Sequence, residues 1–522
     1  MTHDRTDTDR VRIRLEPLAV EIDVPRGSTL VAGLAAHGVE FPCGGMGECG
    51  GCGVRVLSGS LPVTEADTAA FTPGQLAAGW RLACQAHAES PLVLECAQWR
   101  MEILSDGAAV RAGCPILTES APADAVRVGT LIAGRSGLGI AIDLGTTTIA
   151  AQLVDLASGS VLAVETLLNP QAVFGSDVMS RIRAVLEGED LATPIRAALG
   201  QLVARLAAGR ESQIAEVLLV GNTVMHHLFS GLSVEPLAHV PFQSPHLGEQ
   251  RFTPADLAWD LPPACSIRFA RCIGGFVGAD ILAGIVAAGI ANGAALCALV
   301  DLGTNGEIAI GNRHGVVCAS TAAGPAFEAG AIRMGMRAVT GAVAYLTLDH
   351  GALRATVIGD VAPRGICGSG VVDAVAAGLR TGAILANGRV AGSAKLFPVA
   401  APVVLYQADI RELQLAKGAI AAGFRLLLKR LGVSARSLQS IHLAGAFGNY
   451  VQIESAIEIG LIEAPHALVH AAGNTALRGA KMLLLADHEP QLPPIEHVSL
   501  AADPAFQDEF ANCMAFPEQL TP

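Results

Sequence analysis

Apolar and polar residues alternate from Val11 to Val24 in VRIRLEPLAVEIDV, and this period-two pattern predicts two half-buried strands of a hairpin. Ser28 or Thr29 is placed to cap a short helix that stops at Gly38. A strand-like GVRVLSGSLPV follows at residues 53–63, and WRLACQ occupies Trp80–Gln85. Strands around one helix make a small mixed α/β module. From Ala97 to Ser136 the pattern weakens into small and turn residues, as in a connector.

Beyond the connector the pattern repeats. LGIAIDLGTTTIAAQLVDL (Leu138–Leu156) and ALVDLGTNGEIAIGN (Ala298–Asn312) share D-L-G-T between an apolar strand and a second strand. Two such hairpins, far apart in the chain, predict two similar lobes facing each other. IHLAGAFGNYVQIESAIEIGL (Ile441–Leu461) reads as strand, glycine turn and helix, and PRGICGSGVVDAVAAGL (Pro363–Leu379) as a similar loop opening onto a helix. Ile281–Val300 is twenty residues without a charge, long enough to span a bilayer. Its Asn292-Gly293 pair marks a turn, and Asp280 and Asp301 flank it, so the reading is a small-residue helix, a break and a buried strand.

Composition narrows the class. A chain of 522 residues predicts two to four domains, and 51% hydrophobic with 16% charged residues is globular. The net charge of −13 argues against a general nucleic-acid grip, which needs a basic face. The polar start MTHDRTDTDRVRIRL has no apolar signal core, and twelve cysteines in a long chain do not read as a secreted disulfide framework. The expectation is a cytoplasmic protein with no membrane and no nucleic-acid partner.

FPCGGMGECGGCGVRV, at 41–56, packs three cysteines among six glycines. Cys43, Cys49 and Cys52 with the distant Cys84 form C-x5-C-x2-C plus a fourth thiol, one residue wider than the plant-type [2Fe–2S] spacing. Zinc ribbons pair two C-x2-C knuckles, and no second knuckle is present, so ligand logic favours a [2Fe–2S] cluster over zinc. Gly44, Gly45, Gly47, Gly50, Gly51 and Gly53 let such a loop wrap closely and turn its N–H groups toward sulfur. Cys96 and Cys114 read as plain thiols.

The hairpin tips suit a nucleotide's phosphates. Backbone N–H groups at Gly145, Thr146 and Thr147, and again at Gly303, Thr304 and Asn305, can ring phosphate oxygens, and the hydroxyls add donors. Asp143 and Asp301 would hold Mg²⁺ through water, because this ion dehydrates reluctantly. A G-x4-G-K-[ST] loop is absent, which disfavours a P-loop enzyme. Gly445 and Gly448 would leave room for an adenosine, and Gly368 sits in the second loop-to-helix turn.

These residues resemble known families. Residues 9–97 look like a ferredoxin domain of the β-grasp type, with an adrenodoxin-like spacing. The two D-L-G-T hairpins and the G-A-F-G-N-Y turn resemble the phosphate-1, phosphate-2 and adenosine motifs of the actin, sugar-kinase and heat-shock-chaperone ATPases. Together with AAGPAFEAG (Ala322–Gly330) and GICGSG (Gly365–Gly370), the combination is similar to the reductive activators of corrinoid proteins. The resemblance implies an α/β and α+β multidomain chain: a [2Fe–2S] ferredoxin-like domain at 1–97, a linker at 98–136, and a two-lobed actin-like (ribonuclease H-like) ATPase at 137–522. Larger activators carry a middle domain ahead of the first hairpin, where this chain has only about forty residues, fewer than a separate domain normally needs.

In that family the cluster passes one electron to a corrinoid protein's Co(II), restoring the Co(I) that accepts a methyl group. A plant-type cluster lies near roughly −400 mV, and each ~59 mV of shortfall costs a factor of ten, so ATP is expected to supply the difference. The resemblance implies a corrinoid protein of a methyltransferase system as partner, an upstream electron donor of unstated identity, and a homodimer. Asp280 resembles the place where sugar kinases keep a catalytic aspartate and would orient the attacking water; helix capping is the plain alternative. Glu307 would orient water or hold magnesium, against a solvent-facing strand glutamate. Asn222, after an apolar strand, is expected near the phosphates, while His226 and His227 read as one core and one surface histidine. Two other readings stay open: a ferredoxin-fused small-molecule kinase and a redox-sensing ATP-binding scaffold. An activator serving a dehydratase would hold its cluster between subunits through ATPase cysteines, and the isolation of Cys318 and Cys367 speaks against it.

Overall fold

The structure is a computed structural model that describes residues 10–16, 20–35, 39, 47, 52–96, 136–175, 177–338, 341–349, 352–393, 395–445, 451–486 and 491–518. Met1–Ile103 groups with Pro170–Ala184 in one compact unit, and Leu104–Asn169 with Val185–Pro522 in another. The connector at 98–135, Gly38, Cys43, Cys49 and Gly448 lie outside the described residues.

The first unit is built on a five-stranded mixed sheet. Arg10–Glu16 pairs antiparallel with Val20–Pro25, with Val11 opposite Val24, so the expected hairpin forms. Alternation decides its faces: Val11, Ile13 and Leu15 are buried, and Arg10, Arg12 and Arg14 are exposed. Leu92–Cys96 runs parallel to this first strand and antiparallel to Gly53–Ser58, which in turn pairs with Trp80–Leu82. Helix Leu30–Ala35 puts Leu30 and Leu34 into the same core. This is the mixed α/β module that the residue pattern predicts, in the β-grasp arrangement that the ferredoxin resemblance implies.

The second unit holds two six-stranded sheets that share a five-strand order, the sixth strand lying on opposite edges. In the first, Leu138–Leu144, Thr148–Asp155 and Val161–Leu168 form an antiparallel meander; Ile214–Gly221 then lies parallel beside Leu138–Leu144, and Ser266–Phe269 parallel beside that. In the second, Cys297–Leu302, Gly306–Asn312 and Gly315–Thr321 form the meander, and Ser440–Ala444 and Val469–Gly473 add on in parallel. Thus the echo of D-L-G-T in the sequence is an echo of topology. Ile140, Ala141, Ile142, Leu299 and Val300 are fully buried, because these two inner strands are covered on both faces. The core beneath the second sheet joins Ile308 and Ile310 to Ile420 and Phe424 of helix Gln407–Leu431.

The uncharged stretch 281–300 divides as the sequence predicts. Helix Ala279–Ala287 ends ahead of a turn around Asn292, and strand Cys297–Leu302 follows. No described helix is long and apolar enough to cross a membrane. The histidine pair departs from expectation: His226 and His227 are both fully buried. Helix Thr223–Ser230 is enclosed on all sides, so there is no wet face for either ring. His227 pairs through its ring nitrogens with Thr223 O (2.8 Å) and Ser244 Oγ (2.7 Å), and His226 pairs with Gly248 O (3.2 Å). Burial, with His227 beside it, lowers the His226 pKa to about 4, as befits a neutral core ring.

Candidate active site

In the first unit, two of the four expected cluster ligands can be placed. Gly53 stands opposite Leu82 in the sheet, and the N–H of Ala83 donates to Cys52 O at 3.1 Å. This pairing brings Cys52 and Cys84 to one end of the same two strands. Neither is in a disulfide, both are buried, at 1% and 6% exposure, and the Gln85 side-chain amide donates to Cys84 Sγ at 3.7 Å. Two buried soft donors, drawn together from distant positions, fit thiolate ligands of a cluster. Gly47, the described glycine of the cysteine run's first half, has φ 80° and so needs glycine's freedom.

In the second unit the two hairpins bring their aspartates together. Each aspartate lies near the end of its first strand, because the tight turn follows directly. Asp301 sits directly opposite Glu307 across the second hairpin, so two carboxylates share one face of the sheet. Asp280 stands in the first turn of helix Ala279–Ala287, where its Oδ1 accepts from the N–H of Ile281 at 2.8 Å. That helix starts against another: a Cβ on Gly278 would lie 2.2 Å from Gly221 O and 2.4 Å from Asn222 Cα. Only glycine permits this approach, and it sets Asp280 beside the start of helix Thr223–Ser230.

Electrostatics ties the four acids into one site. Burial pushes the Asp143 carboxyl up to about 6, against a hydrogen bond from Asn474 that favours the charged form. Burial and then the Asp143 charge raise Asp301 to about 7. Asp280 rises to about 8 through burial and the charges of Asp301 and Asp143. Glu307 is 7% exposed and well above its ordinary range, through burial first and then Asp280 and Asp301. The solvent-facing alternative for Glu307 is thereby excluded. Ser320 Oγ donates to its Oε1 at 3.2 Å. A set of buried acids whose charges raise their neighbours' pKa values is what functional sites assemble, and a divalent cation would relieve it. Among the described residues no group of three or more His, Cys, Asp and Glu side chains is arranged to ligate a metal directly.

The remaining candidates fall around these acids. Asn222 caps its helix through Met225 N and donates its amide to Thr146 Oγ1 at 2.9 Å, joining the first phosphate turn as expected. Gly145 must be glycine, since a Cβ there would stand 2.4 Å from Thr148 O. Gly303 closes the second turn through its N–H to Asn305 O at 3.1 Å. Gly445 has φ 92°, and a Cβ on it would lie 2.6 Å from Leu302 O and 2.7 Å from Asp301 Oδ1, so the turn after Ala444 runs hard against the acid site. Gly368 opens helix Gly368–Arg380, whose Gly370 packs against Val343 O of strand Ala342–Asp349.

Three residues here have no role assigned from the sequence. Asn169 donates to Gly145 O at 2.9 Å and holds the first turn from behind. Asn474 donates to Asp143 Oδ2 at 2.8 Å. Glu328 accepts from both Thr147 Oγ1 (3.0 Å) and Thr304 Oγ1 (2.9 Å). A signal for Asn474 exists: Gly473-Asn474-Thr475 repeats Gly221-Asn222-Thr223, each after a parallel strand and before a helix.

Comparison with known proteins places these features in one lineage. Residues 13–89 match the profile of the 2Fe-2S iron-sulfur cluster binding domain, 138–293 that of the RACo middle region, and 295–522 that of the C-terminal domain of RACo, the ASKHA domain. The region called the middle is therefore the first lobe itself and not an insert ahead of the first hairpin. The corrinoid activation enzyme RamQ of Eubacterium limosum is 35% identical over 411 residues, 71% of this chain and 69% of the relative. The [Co(II) methylated amine-specific corrinoid protein] reductase of Methanosarcina barkeri is 27% identical over 390 residues, 66% of this chain and 70% of the relative. A solved structure, a reductive activator for corrinoid, iron-sulfur protein, superposes with a TM-score of 0.65 at 27% identity, covering 97% of this chain and 98% of that one. A cysteine module of ferredoxin fold, doubled hairpins closing on buried acids and these likenesses along the whole chain have one reading: the protein belongs to the family of corrinoid activation enzymes.

Proposed function

We propose that this protein couples ATP to the one-electron reduction of a corrinoid protein's Co(II) to Co(I). The observation that carries the reading is the set of Asp143, Asp280, Asp301 and Glu307 at the converging hairpin tips, on the same chain as the paired thiols of Cys52 and Cys84. Cys43, Cys49, Cys52 and Cys84 would hold a [2Fe–2S] cluster, which when bound supplies a one-electron donor that an external reductant refills. Asp143 and Asp301 would hold Mg²⁺ through water, the manner this ion favours.

The chain's own groups do the rest. The turns at Gly145–Thr147 and Thr304–Asn305, the latter closed by the Gly303 N–H, present N–H and hydroxyl donors to phosphate oxygens, and Asn222 fixes Thr146 among them. Asp280, whose carboxyl is pushed up to about 8 by burial and the charges of Asp301 and Asp143, is suited in its ionised form to orient the attacking water and take up its proton. Gly445 and Gly448 would leave space for the adenosine. Nucleotide binding must favour one arrangement of the two lobes, since a ligand that bound both equally would shift nothing. The division into 1–97, 98–136 and 137–522, a homodimeric state and a cytoplasmic location belong to this reading.

The test is anaerobic. The chemically reduced protein is mixed with a Co(II) corrinoid protein, and Co(I) absorbance is followed with and without Mg-ATP. Rapid Co(I) formation only with ATP, lost in Cys49→Ala and slowed in Asp301→Ala, is the expected result. Cobalt that stays oxidised with several corrinoid partners while ATP still binds would overturn it. ADP release that depends on an added small-molecule acceptor would then mark a kinase, with Asp280 as base; ATP binding gated by the cluster without cobalt reduction would mark a redox scaffold.

A further inference from the structure

The two phosphate turns are joined by a single oxygen. Thr147 Oγ1 of the first hairpin and Thr304 Oγ1 of the second both donate to Glu328 Oε2, at 3.0 and 2.9 Å. Each hydroxyl carries one proton, so it cannot donate to Glu328 and to a phosphate oxygen at once. Two donors from facing turns closing on one anionic oxygen is the pattern a bound phosphate would meet. Here a carboxylate of the chain itself occupies it.

The segment that carries Glu328 is built to hold this pose under tension. It is a short 3-10 turn, Pro325–Glu328, whose Ala326 and Phe327 are buried in the second-sheet core at 2% and 1% exposure. With Phe327 committed to the core, the next residue is turned out toward the hairpin tips. Two alanines just after it, Ala329 and Ala331, both have φ 59°, a left-handed backbone that a residue with a Cβ adopts only at a cost. Gly335 leaves room for this fold-back, since a Cβ there would stand 2.0 Å from Ala329 O. The segment then ties into the lobe: Arg333 N–H donates to Asp409 Oδ1 (2.8 Å), and Asp409 Oδ2 accepts from Tyr406 N–H at the start of helix Gln407–Leu431.

We propose that Glu328 is a built-in phosphate mimic, which clamps the two phosphate turns together in the nucleotide-free protein and must be expelled when the phosphates of a nucleoside polyphosphate take the hydroxyls of Thr147 and Thr304. Its expulsion releases the strained turn and gives the two lobes their two arrangements: one latched by the carboxylate, one by the nucleotide. The inference rests on the reading of this site as an ATP site.

The experiment compares adenosine, AMP, ADP and the non-hydrolysable β,γ-imido analogue of ATP, each with Mg²⁺, by calorimetric titration of the full chain and its Glu328→Gln and Glu328→Ala variants. Thermal melts confirm that each variant folds. The clamp competes only with phosphate, so ADP and the triphosphate analogue should bind about fivefold or more tightly to the variants, while adenosine changes less than about twofold. A change of equal size across the series would mark a merely structural role and overturn the proposal. Weaker binding of the phosphorylated ligands would overturn it too, by making Glu328 a group that helps hold the nucleotide. If the wild-type protein binds none of the four, the ATP reading itself falls and the inference with it; if wild type binds them and the variants show no dependence on phosphate number, only the inference falls.

Discussion

Asn474 donates its side-chain amide to Asp143 Oδ2 at 2.8 Å across 331 residues of chain, while its own Oδ1 caps helix Thr475–Leu485 by accepting from Leu477 N–H. One side chain thus serves the helix that follows strand Val469–Gly473 of the second sheet and the aspartate of the first. Asn474→Ala should lose a helix cap, about 1 kcal/mol of stability, and leave Asp143 with a still higher pKa. Asn474→Asp keeps the cap but sets a further negative charge against Asp143, so without a divalent cation it should bind nucleotide more weakly than the alanine variant. Denaturant midpoints and nucleotide titrations at pH 7 check both halves.

The raised carboxyls imply a direction for stability with pH. An unfolded aspartate titrates near pH 4, and the folded values are about 6, 7 and 8 for Asp143, Asp301 and Asp280. Between these limits the native state binds more protons than the unfolded one, so stability falls as pH rises. The contribution is complete below about pH 4 and lost by the time pH has passed about 8. Metal-free, nucleotide-free protein should therefore be less stable at pH 8 than at pH 5.5, as followed by circular dichroism in denaturant. Asp280→Asn should flatten the slope, and added Mg²⁺ should restore stability mainly at the higher pH; an unchanged slope in Asp280→Asn would contradict the acid cluster.

Gly445 leaves no room for a side chain. Its φ of 92° and the 2.7 Å approach of a Cβ to Asp301 Oδ1 mean that Gly445→Ala must strain the backbone or move the aspartate. A stability loss of about 1–3 kcal/mol is expected, with a fall in ATP hydrolysis beyond that explained by unfolded protein. Steady-state hydrolysis, corrected for folded fraction, reads the second effect.

Four cysteines should behave as a set. Serine at Cys43, Cys49, Cys52 or Cys84 should abolish the visible absorbance of the cluster and cobalt reduction, yet leave nucleotide affinity within about twofold, because the nucleotide groups lie in the other unit. Serine at Cys265, Cys318 or Cys367 should leave the absorbance intact. Burial pushes the Cys265 thiol up to about 11 and Cys318 to about 12, so neither is an available thiolate at neutral pH.

Much of this site is legible in the order of residues, for local reasons. Strand and turn come from periodicity and from glycine placement, which put Asp143 and Asp301 at matching positions of two hairpins. The same grounds put Asp280 in the first turn of a helix and Asn222 after an apolar strand. Glu307 shows the limit. Its strand is readable, but whether its face is wet depends on what covers the sheet, and burial at 7% exposure is decided by the elements around it. The histidine pair fails for the same reason: helical spacing puts neighbours on different faces, and it cannot say that helix Thr223–Ser230 has no outer face at all.

By itself, the sequence determined the period-two hairpins, the doubled D-L-G-T turns, the cysteine spacing and the small-residue helix before Cys297, because each depends on neighbours a few positions apart. Only the tertiary structure decided which distant groups meet: Asn474 with Asp143, Asp280 with Asp301, and Glu328 with both Thr147 and Thr304. Those meetings follow from how the two sheets and their helices pack, and packing depends on the whole set of buried surfaces. The carboxyl pKa values follow in turn, since burial and mutual charge arise only once the chain has brought the acids together.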